Sequence, residues 1–89
     1  MSTIELEEAL VDLVLQISGI DTNIDRNADL YLDLRLASFH ALQLLVELEE
    51  RYGMKIPDED FVEANTVVKL ARLIETLMQS QKAGIQNAG

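Results

Sequence analysis

No cysteine occurs in this chain of 89 residues, so neither a disulfide framework nor a thiolate metal site can hold it together, and its redox compartment is left open. One histidine, His40, is too few for a His-based metal centre, and no metal is expected. No apolar run approaches the ~20 residues of a membrane span. The opening Met-Ser-Thr-Ile-Glu-Leu-Glu-Glu lacks the basic start of a signal peptide. A cytoplasmic protein without membrane insertion is therefore expected. Basic residues are scarce, seven Lys and Arg against sixteen Asp and Glu, and the net charge of −9 repels nucleic acid while favouring partners with basic docking patches. A hydrophobic content of 48% suffices for one compact core but not for a deep catalytic cleft. No nucleophile, base and orienting group are spaced to meet, because His40 follows Ser38 by two residues, where helical side chains diverge. The glutamates at 47, 49 and 50 read as a solvated helix face, since Glu is rarely buried. The expectation is a single domain that is not an enzyme, monomeric, ordered over about residues 3–80, with a flexible tail at 81–89.

What is present is helical periodicity. Ser2 followed three residues later by Glu5 fits a capping box, and Ile4, Leu6, Ala9, Leu10, Leu13, Val14 and Ile17 recur at helical spacing up to Gly19. Residues 20–37 hold Ile20, Ile24, Leu30, Tyr31, Leu32, Leu34 and Leu36 without a sustained period, which predicts a structured crossover with one helical turn at Leu30–Asp33. A second long helix is predicted from Ser38 to Tyr52, free of Gly and Pro and stopped by Gly53. Its wheel places His40, Gln43, Glu47, Glu50 and Arg51 within an arc of roughly 100°. Phe39, Ala41, Leu42, Leu44, Leu45, Val46, Leu48 and Tyr52 cover most of the rest, an amount of apolar surface that predicts packing on more than one side. Glu49 falls opposite the polar arc and is expected to reach solvent or a basic side chain. Asp58–Glu63 reads as a short third helix capped by Asp58, with Phe61 or Val62 turned inward. Asn65 or Thr66 should cap the last helix, whose stripe is Val67, Val68, Leu70, Ala71, Leu73, Ile74, Leu77 and Met78. Fraying is predicted from Gln79.

Charge is unevenly spread. Asp58, Glu59, Asp60 and Glu63 cluster without a base, whereas Ala37 to Val46 contains no acidic residue. Periodicity by itself gives a small helical bundle, and by itself a serine before a helix is most simply a cap.

The run Asp33-Leu34-x-x-x-Ser38-Phe39, the apolar helix ending Leu-Glu-Glu-Arg-Tyr-Gly, and Ile56-Pro57-Asp58-Glu59-Asp60 together resemble the acyl carrier protein family. That family usually reads Asp-Leu-Gly-x-Asp-Ser-Leu, a helix ending in a Leu-Glu-Glu-x-Phe-like string, then Ile-Pro-Asp-Glu. The likeness spans roughly residues 3–80. It implies an all-α, right-handed four-helix bundle with three long helices, one short helix and a long first loop. It also implies that Ser38 accepts 4′-phosphopantetheine from coenzyme A, attached by a separate phosphopantetheinyl transferase. A phosphodiester there would sit at a helix N-terminus, which favours an anion. The arm's thiol would carry an acyl group as a thioester to acyl-activating and acyl-transfer enzymes, at raised effective concentration.

Departures from the family pattern point to a specialised carrier. Arg35 stands where the family usually has Gly, Ala37 where it has Asp, and Phe39 where it has Leu; His40 and Gln43 stand where fatty-acid carriers place acids. The lost carboxylate at Ala37 bears on recognition by a generic transferase. Phe39 followed by Gln43-Leu44-Leu45 is similar to D-alanyl carrier proteins. Arg35, Ala37, Phe39, His40, Gln43, Glu47 and Glu50 are the expected partner-recognition residues. The open alternatives are an aminoacyl, D-alanyl or peptidyl carrier, and a carrier-like binding subunit that is never modified.

Overall fold

Ser2 opens the first helix as a reciprocal cap: its Oγ accepts the Glu5 N–H at 3.2 Å, and the Glu5 carboxylate accepts the Ser2 N–H at 3.4 Å. The computed structural model of the chain describes the backbone of residues 2–20 and 23–88 and side chains as far as Ser80. Its helices are α1 (Thr3–Ser18), α2 (Ser38–Tyr52), α3 (Asp58–Glu63) and α4 (Val67–Ala88), with no strand among the described residues. Gly19 and Gly53 end α1 and α2 in the left-handed region, at φ 73° and 62°, where a Cβ would be strained. Thr66 caps α4, its Oγ1 accepting the Lys69 N–H at 3.1 Å.

The core joins every element. Leu6, Leu10, Leu13 and Val14 of α1 pack with Val67, Leu70, Ala71 and Ile74 of α4, with Leu44 and Leu48 of α2, and with Phe61 of α3. Each fully buried leucine of this set contributes about 1.5–3 kcal/mol relative to exposure. A hydrogen bond from Thr3 Oγ1 to Glu75 Oε2, 2.7 Å, also ties α1 to α4. No helix among the described residues is long and apolar enough to cross a membrane.

The crossover is structured as expected, with Ile24, Leu30 and Leu36 buried and a turn at Leu30–Asp33 closed by the Asp33 N–H on the Asp29 carbonyl at 3.0 Å. It is fastened to the α3–α4 junction. The Leu30 N–H donates to the Asn65 carbonyl (2.8 Å), Asn65 Nδ2 donates to the Asp29 carboxylate (2.6 Å), and the Val68 N–H donates to the Arg26 carbonyl (3.1 Å). Arg26 pairs with Glu7 of α1 at 3.2 Å.

Several expectations are corrected. Ile4 belongs to the α1 stripe by spacing, yet it sits at the helix start beyond the reach of the core and is exposed. α2 is covered on one side and not on several: Leu44 and Leu48 are buried, while Phe39, Leu42 and Val46 face solvent. Glu49 finds neither solvent alone nor a base; its Oε2 accepts the Ile56 N–H at 2.8 Å and its carbonyl accepts the Met54 N–H at 3.1 Å, fixing the link to α3. Pro57, not Asp58, is the N-cap of α3, leaving Asp58 in its first turn. Phe61 is the inward residue there and Val62 is exposed. α4 runs to Ala88. The side chains of the expected tail, 81–89, lie outside the described residues.

Candidate functional site

The start of α2 lacks an ordinary cap. Ala37 occupies the N-cap position in extended backbone, φ −78° and ψ 160°, with no side-chain oxygen to offer. Ser38 is therefore the first helical residue and not the cap that a serine before a helix suggests. Among the described residues the one side-chain bond at this end comes from His40, whose Nδ1 accepts the Ala37 N–H at 3.3 Å. His40 is half-buried, and its ring lies against that of Phe39 with centroids 4.1 Å apart. The Ser38 side chain is exposed, and neither its Oγ nor the backbone N–H groups of Ser38, Phe39 and His40 has a hydrogen-bond partner among the described residues. A free hydroxyl beside three free N–H groups at the positive end of a helix dipole is a donor set suited to a singly charged phosphodiester.

Ser38 also lines a groove of about 470 Å³ between α2 and α3. Ala41, Leu42 and Leu45 form one wall and Phe61 and Val62 the other; Tyr31 of the crossover and Asp58 complete the lining. The α2 spacing explains this placement. Ser38, Ala41, Leu42 and Leu45 recur at three- and four-residue intervals and share one flank of the helix.

The outward face of α2 is rotated from the polar arc of the wheel. It runs Phe39, Leu42, Gln43, Val46, Glu50, all exposed, with His40 and Glu47 half-buried on its edge. Phe39 and Leu42 are 67% and 63% exposed, so the serine end of this face is apolar and only its far end is acidic. Asp58, Glu59, Asp60 and Glu63 are all exposed on α3, next along the chain. Arg35 is exposed in the left-handed region at φ 57°, a non-glycine residue where the resembled motif has Gly. No ion pair or hydrogen bond engages its side chain among the described residues. Arg35, Ala37, Phe39 and His40 lie within three residues of Ser38 along the chain, with Gln43, Glu47 and Glu50 progressively farther along α2.

Sequence reasoning missed the residues that fix the groove's third side. The Asp29 carboxylate accepts the N–H groups of Leu32 (2.9 Å) and Tyr31 (2.8 Å). These two bonds, with Asn65 and Lys69 adding to them, hold its pKa below the usual 3.8. Burial pushes the Tyr31 phenol above its usual 10.0, and the Asp29 charge adds to this. Asp29 and Asn65 stand 36 positions apart, so no periodicity links them; the signal available was Asp29 two residues before Tyr31, a spacing suited to an Asx-turn.

Comparison with known proteins follows the same geometry. A family model described as "phosphopantetheine attachment site" matches residues 8–74. The meromycolate extension acyl carrier protein of Mycobacterium tuberculosis is 26% identical over 83 residues, covering 92% of this chain and 72% of that protein. The acyl carrier protein of Rhodococcus erythropolis is 28% identical over 85 residues, covering 94% of this chain and 92% of its own length. Among solved structures, a candidate acyl carrier protein from Mycobacterium tuberculosis superposes with a TM-score of 0.73 at 28% identity, over 80% of this chain and 96% of that one.

Proposed function

From the premise that this chain belongs to the phosphopantetheine attachment site family and is a carrier bearing a covalent 4′-phosphopantetheine, we propose that Ser38 is its attachment site and that its cargo is an acyl chain in a specialised pathway. The observation that carries this is the Ser38 hydroxyl itself: exposed, unpartnered, in the first turn of α2, and on the lining of an apolar groove. The first-turn N–H groups would hold the phosphodiester. When bound, the group supplies a thiol that carries the acyl group as a thioester. No base among the described residues engages the Ser38 hydroxyl, whose Oγ has no hydrogen-bond partner, and Nδ1 of the single histidine accepts the Ala37 N–H. Proton removal at Oγ therefore falls to the phosphopantetheinyl transferase, and the carrier is not an enzyme.

The groove favours an apolar cargo, since Ala41, Leu42, Leu45, Phe61 and Val62 dominate its walls. Partners are acyl-activating and acyl-transfer enzymes that meet the outward face of α2. Phe39 and His40 stand at its serine end, with Arg35 and Ala37 just before it in the chain, Gln43 in its middle, and Glu47 and Glu50 at its acidic end. A second reading, an aminoacyl or D-alanyl carrier, draws on one observation: Asp58 places a carboxylate on the groove lining, able to pair with a cargo ammonium. Incubation with a broad-specificity transferase and coenzyme A labelled in its pantetheine part tests the site, with Ser38→Ala as the control. Wild type should take up one label and the variant none; label retained by Ser38→Ala rules the site out. The mass of cargo on protein from the native host separates the two cargo classes.

A further inference from the structure

The carrier reading places Arg35 at the edge of the partner face and gives its charge no part in holding the arm. Arg35 is the only Lys or Arg between Arg26 and Arg51, and it precedes Ser38 by three residues. In a chain of net charge −9, the next ten residues after Leu36 contain no acid to pair with it. Its side chain is exposed and has no partner among the described residues, in a protein with sixteen acidic residues. The backbone beneath it is costly and firmly held. Arg35 is the one described non-glycine residue at positive φ, 57°. Bonds from the Leu34 N–H to the Asp29 carbonyl (3.1 Å) and from the Leu36 N–H to the Leu30 carbonyl (2.9 Å) clamp it on both sides, and Leu36 is buried. A long side chain in the left-handed region is disfavoured relative to glycine.

Resting on the assignment of Ser38 as the attachment site, we propose that Arg35 clasps the phosphodiester at the root of the arm, opposite the free first-turn N–H groups of α2. Three residues span at most about 11 Å between Cα atoms, within the combined reach of an arginine side chain and a phosphate on a serine oxygen. A phosphodiester presents two unbridged oxygens and one negative charge, which match the fork of a guanidinium. His40 carries no fixed positive charge, and with Nδ1 accepting the Ala37 N–H it has a single ring donor, Nε2–H, where a guanidinium offers a fork. The anion thus finds donors on two sides, helix N–H groups on one and Arg35 on the other. The arm's root is fixed while its thiol end stays free, and the left-handed residue has a partner only after modification.

Thermal unfolding of the unmodified and fully modified forms of wild type, Arg35→Gln and Arg35→Lys tests this, with modification verified by intact mass. Attachment should raise the wild-type Tm by about 5 °C, a shift typical of one modest interaction in a domain of this size. Arg35→Gln keeps the backbone geometry and should lose more than half of that gain; Arg35→Lys should keep part of it. High salt should shrink the wild-type gain. A second readout needs no variant: the Arg35 side-chain Nε–H resonance should shift and gain protection from exchange on modification. Equal gains in wild type and Arg35→Gln, or an Arg35 resonance unmoved by modification, overturn the clasp and leave Ser38 assigned. A phosphopantetheinyl group found on a residue other than Ser38 overturns that assignment, and the clasp with it.

Discussion

Replacing Ala37 by Asp tests the description of the α2 start, because the position already has cap geometry and lacks only the oxygen. Its backbone, φ −78° and ψ 160°, is that of a side-chain-bonded N-cap. A carboxylate there would accept the N–H of Phe39 or His40, both free at present, which stabilises by about 1 kcal/mol. Its charge at the positive end of the helix adds about 0.3–1 kcal/mol. The His40 bond survives, since it uses the Ala37 backbone N–H. The sum, about 1–2 kcal/mol, corresponds to a rise in Tm of roughly 5–10 °C for a domain of this size. Ala37→Asn supplies the oxygen without the charge and should give about half. The carboxylate gains partners on folding, so its pKa falls, and the charge contribution is present above the usual Asp value near ~3.9 and lost as pH falls through the lower folded value. Thermal unfolding at neutral and acid pH reads all three effects. An unchanged or lower Tm for Ala37→Asp at neutral pH would refute the capping geometry. The same variant should be modified faster by a broad-specificity transferase. If Ala37→Asn gains as much rate, helix-end order and not the carboxylate is what that enzyme reads; if neither gains, Arg35, His40 or the crossover sets the limit.

Charge reversal at Glu47 or Glu50 should slow association with the cognate acyl-transfer enzyme in a salt-dependent way, because acids occupy only the far end of the outward α2 face; unchanged association rates for Glu47→Lys and Glu50→Lys at low salt contradict this. Acids introduced at His40 and Gln43 should improve binding to fatty-acid enzymes and do little for the cognate one, which surface binding measurements on both partners check. Asp29 has a lowered pKa, so its hold on Tyr31 and Leu32 persists above pH 3.8 and is lost as pH falls through the lower folded value. Amide exchange at Tyr31 and Leu32 should accelerate over that acid range in wild type, and Asp29→Ala, which removes the acceptor, should be fast-exchanging already at neutral pH.

Local chemistry was legible wherever one short stretch holds both partners of an interaction. Ser2 with Glu5, Gly19, Gly53 and Thr66 mark helix ends through groups within a few residues, and the centres of the predicted stripes are buried, Leu6, Leu10, Leu13 and Val14 on α1 and Val67, Leu70, Ala71 and Ile74 on α4. Burial on α2 was not legible, because Phe39, Leu42 and Val46 are as apolar as Leu44 and Leu48, and only the placement of α1 decides which set is covered. Ser38 stood out through its motif, whereas its actual helix position depends on Ala37 taking the cap. Glu49 looked misplaced on the wheel because its partner is the Ile56 N–H, a backbone group that no wheel displays. The Asp29–Asn65 tie joins two loops and follows from tertiary packing alone.

The central claim is that Ser38 carries the phosphopantetheine arm, and peptide-resolved mass spectrometry of protein from its native host tests it most directly. One phosphopantetheinyl group on the peptide containing Ser38, and none in a Ser38→Ala chain that keeps its helical content, is the predicted result. Ser38 is not the N-cap, so that variant should unfold at nearly the wild-type temperature. An unmodified Ser38 peptide, or the group found on another residue, contradicts the claim.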